Sequence, residues 1–256
     1  MPVNDASRSA PPHASTIELI LGVLALAAAG ASGALLFAIA EAGYSTFGQL
    51  ATAVVLPAIA LLAAMMVVSW RMRWRWLLRA LLSGVLAGAV ATIGLEIIRG
   101  VGFNVFHSMP GSLPKLMGVL VTGRIMQGPD LVSNLAGWGD HFWNGAMFGL
   151  VYVLLVGRAR PMWVGAVYGA ILGTGFLLSP VPVAIGVGTF GAQFGASFAI
   201  TVYLAHMVFG VSIAWLTFRF GLGASLWEEA LVHRRPDLPQ QDLGPPSPGL
   251  GRRVRL

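Results

Sequence analysis

The chain has no cysteine, so it can form no disulfide, ligate no iron–sulfur cluster and use no thiol nucleophile. It is also poor in charge: 10% of its 256 residues are charged and 56% hydrophobic, and the mean hydropathy is +0.77. It carries no Gly-rich phosphate loop, no His-Glu-x-x-His pair and no assembled Ser-His-Asp set. The signatures of nucleotide hydrolysis, zinc proteolysis and triad hydrolysis are therefore missing, and the sequence points away from an enzyme.

What it does have is six long apolar runs with arginines at alternate ends. The runs are Ile17–Ala40, Leu50–Ser69, Leu77–Ile98, His141–Gly157, Met162–Leu178 and Ala196–Phe218. A lipid-facing backbone must satisfy its own hydrogen bonds, and these runs lack the alternation of a barrel strand, so each reads as a transmembrane helix. The fourth and fifth are short for a hydrocarbon core of about 30 Å. The first continues to Ala40, too long for the apolar core of a cleaved signal peptide, and is expected to stay as a span.

Orientation follows from the basic residues. Arg8, Arg71 to Arg79, Arg158, Arg160, Arg219 and the arginines of the tail make up 13 of the 16, while Arg99, Lys115 and Arg124 share one connection on the other side. The positive-inside bias then puts both termini in the cytoplasm of a bacterial inner membrane. The net charge of +6 suits anionic headgroups at the cytoplasmic face and requires no nucleic acid. Arg71-Met72-Arg73-Trp74-Arg75-Trp76 has the makings of an interfacial anchor. The expected fold class is thus all-α, a polytopic membrane bundle of six helices over 17–220. A cytoplasmic segment at 1–16 precedes it, and a Pro/Arg-rich tail at 221–256 follows, extended from Glu228 onward.

An internal repeat is also expected. Gly84, Gly88 and Gly94 recur 81 residues later as Gly165, Gly169 and Gly175, and His141-x3-Gly145-x3-Gly149 is matched by His206-x3-Gly210-x3-Ala214. These suggest two parallel helical hairpins, about 77–157 and 162–220. Small residues four apart let helices approach closely in lipid, which accounts for the glycines. The histidines, each one turn before a glycine, stand on the same stripe and point into the bundle.

Ionisable and polar groups gather toward the outer ends of spans three to six. Gly84, Gly88, Thr92 and Glu96 step by four along the third span, with Arg99 placed for an ion pair with Glu96. Asp140, His141 and Asn144 open the fourth span, Tyr203 and His206 lie on the sixth, and His107 sits in the connection 99–140. Leu116 to Val121, after Pro114, permits a short helix within that connection.

This constellation predicts an outward-facing pocket that binds a metal, haem or small ligand. Candidate metal ligands are His141, His206, Glu96, Asp140 and His107, with copper or zinc in view; candidate cofactor-binding residues are His141, His206, Tyr203 and Asn144, with haem b in view. A competing explanation is that the histidines bond Asn144 or Tyr203 and hold the hairpins in register. Two other functions fit the same sequence: an accessory subunit of a larger respiratory or photosynthetic complex, with partner subunits meeting the tail and basic loops, or a small-solute transporter.

From Leu81 to Phe220 the chain resembles a family of bacterial polytopic inner-membrane proteins with a Gly-rich span, a Met-Pro and Gly-containing outer segment and a His-x3-Gly span. The residues concerned are His107-Ser108-Met109-Pro110-Gly111, Met117-Gly118 and Trp138-Gly139-Asp140-His141. The resemblance implies a helical membrane fold and an inner-membrane location, and it carries no activity.

Overall fold

The computed structural model describes residues 14–157, 160–220 and 225–234. Every regular element among them is helical. Four stretches, Thr16–Glu41, Phe47–Arg71, Arg75–Asn104 and Ala196–Arg219, are long and apolar enough to cross a membrane, and Met162–Leu178 is a shorter apolar helix.

The first stretch is broken. Helix α1 (Thr16–Ser32) starts with a capping box in which Ser15 and Glu18 bond each other's backbone N–H, and α2 (Leu35–Glu41) resumes after Gly33. At the break the Trp143 indole Nε1 donates to the Ser32 carbonyl at 3.0 Å, satisfying a group that the helix leaves open. The second stretch runs through α3 (Phe47–Leu50), a π segment (Ala51–Val55) and α4 (Leu56–Arg71). Pro57 has no N–H to give and its ring crowds the carbonyl four residues back, so the turn before it widens.

Helix α5 (Arg75–Asn104) is the axis of the molecule, flanked by α7 (Leu131–Leu155) and α10 (Ala196–Arg219). Its 30 residues span about 45 Å. Short α6 (Leu113–Val121) packs on the first half of α7, and α8 (Met162–Leu178) packs along α10. Helix α9 (Pro180–Ala184) touches both α2 and α8. Helix α11 (Leu226–Arg234) lies where an extended tail is expected from the sequence. It packs against the start of α1, where Ala14 N–H donates to Glu229 Oε2 at 3.1 Å. The beginning of the described chain and α11 therefore sit at one end of the bundle. Arg8, Arg158 and the tail from 235 lie outside the described residues.

The fourth run needs correction. Helix α7 begins at Leu131, not at His141, capped by Asp130 and Ser133 in a reciprocal pair of 2.8 Å bonds. The Arg124 guanidinium lies 3.2 Å from Asp130 Oδ2. The backbone N–H of Ser133, helped by the Ser133 hydroxyl and Arg124, holds the Asp130 carboxyl below its ordinary value of 3.8. Asn134, Asp140, His141 and Asn144 interrupt the apolar pattern of this helix, so a hydropathy reading starts it too late. The connection expected from Arg99 to Asp140 shrinks accordingly, and α6 fills much of it where the short helix is expected.

Three close crossings hold the bundle together, all between antiparallel helices. A Cβ at Gly88 would run into the Gly145 carbonyl, and one at Gly149 into the Gly84 carbonyl. The α8–α10 pair repeats this geometry: Gly169 meets the His206 carbonyl and Gly210 the Gly165 carbonyl. So does α6–α7, where Gly118 meets the Ser133 carbonyl and Gly137 that of Pro114. At such separations dispersion and Cα–H···O contacts replace side-chain packing. The crossing aligns His206 with Gly145, not with His141, one turn away from the His-to-His match in the sequence.

Candidate functional site

Five positions of α7, Ser133, Gly137, His141, Gly145 and Gly149, form one stripe at four-residue spacing. Its two ends are taken by the crossings with α6 and α5. His141 is the one large side chain on the stripe, and it meets the polar continuation of the α5 stripe, Gly84, Gly88, Thr92 and Glu96. His141 Nε2 lies 2.9 Å from Glu96 Oε1, at ion-pair distance but outside hydrogen-bond geometry. Arg99 Nη1 donates to the same oxygen at 2.6 Å. The expected Glu96–Arg99 pair is therefore present, and His141 completes a cluster of three.

Next to this cluster is a cavity of about 430 Å³. Its polar lining comes from Thr92, Arg99, His141, Asn144, Ser179 and His206, and the rest is apolar, with Leu95, Phe148, Phe176 and Phe209 prominent. His206 Nδ1 lies 2.8 Å from the Val202 carbonyl. A carbonyl only accepts, so the proton is on Nδ1 and Nε2 of the neutral ring carries a lone pair. The ring stacks on Phe176 at 6.1 Å between centroids.

A second cavity of about 410 Å³ adjoins the first. Arg99, Leu113 and Phe176 line both. Glu41, Met109, Ser112 and Ile185 also border the second, which lies among α6, α9 and the end of α5.

The sequence-derived candidates thus divide. His141, Asn144 and His206 line the first cavity. Glu96 stands behind His141 and Arg99. Asp140 accepts from Asn144 Nδ2 at 3.0 Å, and Tyr203 OH pairs with Thr174 Oγ1 at 3.0 Å. Among the described residues neither Asn144 nor Tyr203 bonds a histidine, so the partners expected to hold the hairpins in register are not these two; His141 meets Glu96 of α5 instead. His107 is exposed in the turn after α5, with φ +48°, apart from the others. Among the described residues no three His, Cys, Asp or Glu side chains come together to hold a metal ion.

Sequence reasoning missed three contributors. Arg99, expected to pair with Glu96, is also 9% exposed and lines both cavities. Phe176 covers His206, and α2 supplies a wall through Leu35, Phe37 and Ala38. A buried arginine one turn beyond an intramembrane carboxylate was the available signal for the first. Nothing in the sequence pointed to α2. Compared with known protein families, with curated proteins and with solved structures, the chain matches none.

Proposed function

We propose that this is a six-span inner-membrane protein that holds a small organic ligand in the cavity between α5, α7, α8 and α10. The spans are α1–α2, α3–α4, α5, α7, α8 and α10, with both ends of the chain in the cytoplasm and the cavity toward the outer side. Two hairpins, α5–α7 and α8–α10, form the repeat, and their repeated close crossing is the reason for reading them as copies.

The observation that carries the reading is the cavity itself. Its size, its apolar walls and its few convergent polar groups are those of a small-molecule site. His141 and His206 could each offer a nitrogen to haem iron or a metal. The lack of a third protein ligand among the described residues disfavours a metal ion held by side chains alone, and the apolar walls favour an organic ligand.

The test is an absorption spectrum, elemental analysis and solvent extraction on protein purified after gentle solubilisation, for wild type, His141→Ala and His206→Ala. The reading expects a colourless, metal-poor protein with an extractable organic ligand, reduced in both variants. A Soret band or stoichiometric metal transfers the site to haem or metal. Unchanged ligand content in both variants contradicts the role given to the histidines.

A further inference from the structure

The walls of the larger cavity also indicate how a ligand enters it. Leu35 on α2 and Ile171 on α8 line the cavity and are at the same time 58% and 63% exposed on the apolar flank of the bundle. Helix α9 touches both helices and lines the cavity through Val181. The cavity therefore has a side mouth between α2 and α8, at a height where the surrounding solvent of a membrane protein is acyl chain.

Toward the end of α5 the cavity meets Arg99. One guanidinium nitrogen is bonded to Glu96, and the group borders both the apolar cavity and its neighbour. An arginine carries five donors in a fixed fork suited to carboxylate or phosphate. The volume, about 430 Å³, lies toward the lower end of the range of about 300–1,000 Å³ for small-molecule sites. A cavity of that size suits one chain of medium length.

Resting on the ligand-binding reading above, we infer that the occupant is a single-chain acidic amphiphile taken laterally from the bilayer. Its chain lies among Leu95, Phe148, Ile171 and Phe209, and its anionic head pairs with Arg99 at the border with the second cavity. His141 and Asn144 face the same space and can bond the head oxygens not used by Arg99. Gly175, also on the wall, has nothing within 4 Å of where a Cβ would stand. Gly175 is exposed one turn from Ile171, so a large side chain there obstructs the mouth without pressing on packed neighbours.

The test uses the full chain in nanodiscs of zwitterionic phosphatidylcholine. The probes are myristic acid with a photoactivatable diazirine at its chain end and the corresponding myristyl alcohol, with labelled peptides mapped by mass spectrometry. The acid is expected to label the α5, α7 and α10 wall several-fold more than the alcohol. Dodecyl phosphate should compete, and inorganic phosphate or acetate should not. Gly175→Trp should abolish wall labelling in a folded protein. The double variant Glu96→Gln with Arg99→Gln, which leaves no lone buried charge, should erase the preference for acid over alcohol.

Equal labelling by acid and alcohol overturns Arg99 as the head-group site. Displacement by inorganic phosphate overturns the amphiphile in favour of a soluble anion. Wall labels that survive Gly175→Trp, or no wall labels with either probe, overturn the inference as a whole. In that last case an extractable ligand of another kind still upholds the ligand-binding reading, and a protein without one ends both.

Discussion

His141 on α7 and Glu96 on α5 face each other at 2.9 Å across the bundle, where the glycine stripes of both helices give way to polar residues. Arg99 shares the same carboxylate oxygen, so one acid serves two potential cations. Below this point the helices approach closely through glycine, and the cavity lies beside them at the level of Thr92 to Arg99 and His141 to Phe148. The ionic cluster closes the crossing and forms one wall of the site.

Removing the acid alone should be costly. Glu96→Ala leaves Arg99, 9% exposed, without its carboxylate, and breaking a buried pair this way costs about 3–5 kcal/mol. The partly exposed Glu96 side chain puts the expected loss near the lower figure. Glu96→Gln with Arg99→Gln should recover most of it. Unfolding in mixed micelles measures both, and a single variant as stable as wild type contradicts the buried pair.

The crossings make a separate prediction about glycine. Gly88→Ala and Gly169→Ala place a methyl against the carbonyls of Gly145 and His206, and overpacking of this kind costs about 1–3 kcal/mol. Gly175→Ala has open space and should be neutral or stabilising by up to about 1 kcal/mol, since glycine is a poor helix former. The same unfolding assay ranks the three; equal effects at Gly88 and Gly175 contradict the close crossing.

The contrast between these positions shows how far the sequence could be read. Four-residue spacing of Gly84, Gly88, Thr92 and Glu96 was enough to place one face of α5 inward, and His141 followed on α7. The start of α7 was hidden because Asn134, Asp140 and His141 lower the hydropathy of a helix whose polar side is covered by α6 and α5. Spacing alone matches His206 to His141, whereas the crossing that sets the register is between Gly169 and the His206 backbone. The wall supplied by α2 depends on a break at Gly33 and on Trp143 reaching Ser32, contacts between residues far apart in the chain.

A pH effect is expected at the start of α7. The Asp130 carboxyl is held below its ordinary value by the Ser133 N–H and, further down, by Arg124. A depressed carboxyl stabilises the fold above its unfolded pKa, and that contribution is lost as pH falls through the folded value. Hydrogen exchange at the first turn of α7 should therefore be slow at neutral pH and quicken, relative to the α7 interior, only below about pH 4. Asp130→Ala should show the faster exchange at all pH values. An unchanged turn in that variant contradicts the cap.

The central claim is that the cavity beside His141, His206 and Arg99 is occupied. Native mass spectrometry of the protein released from its own membrane, wild type against Gly175→Trp, tests it most directly. The account predicts one bound small molecule per wild-type chain and none in a variant of equal stability. A bare wild-type chain, or equal occupancy in both proteins, would contradict it.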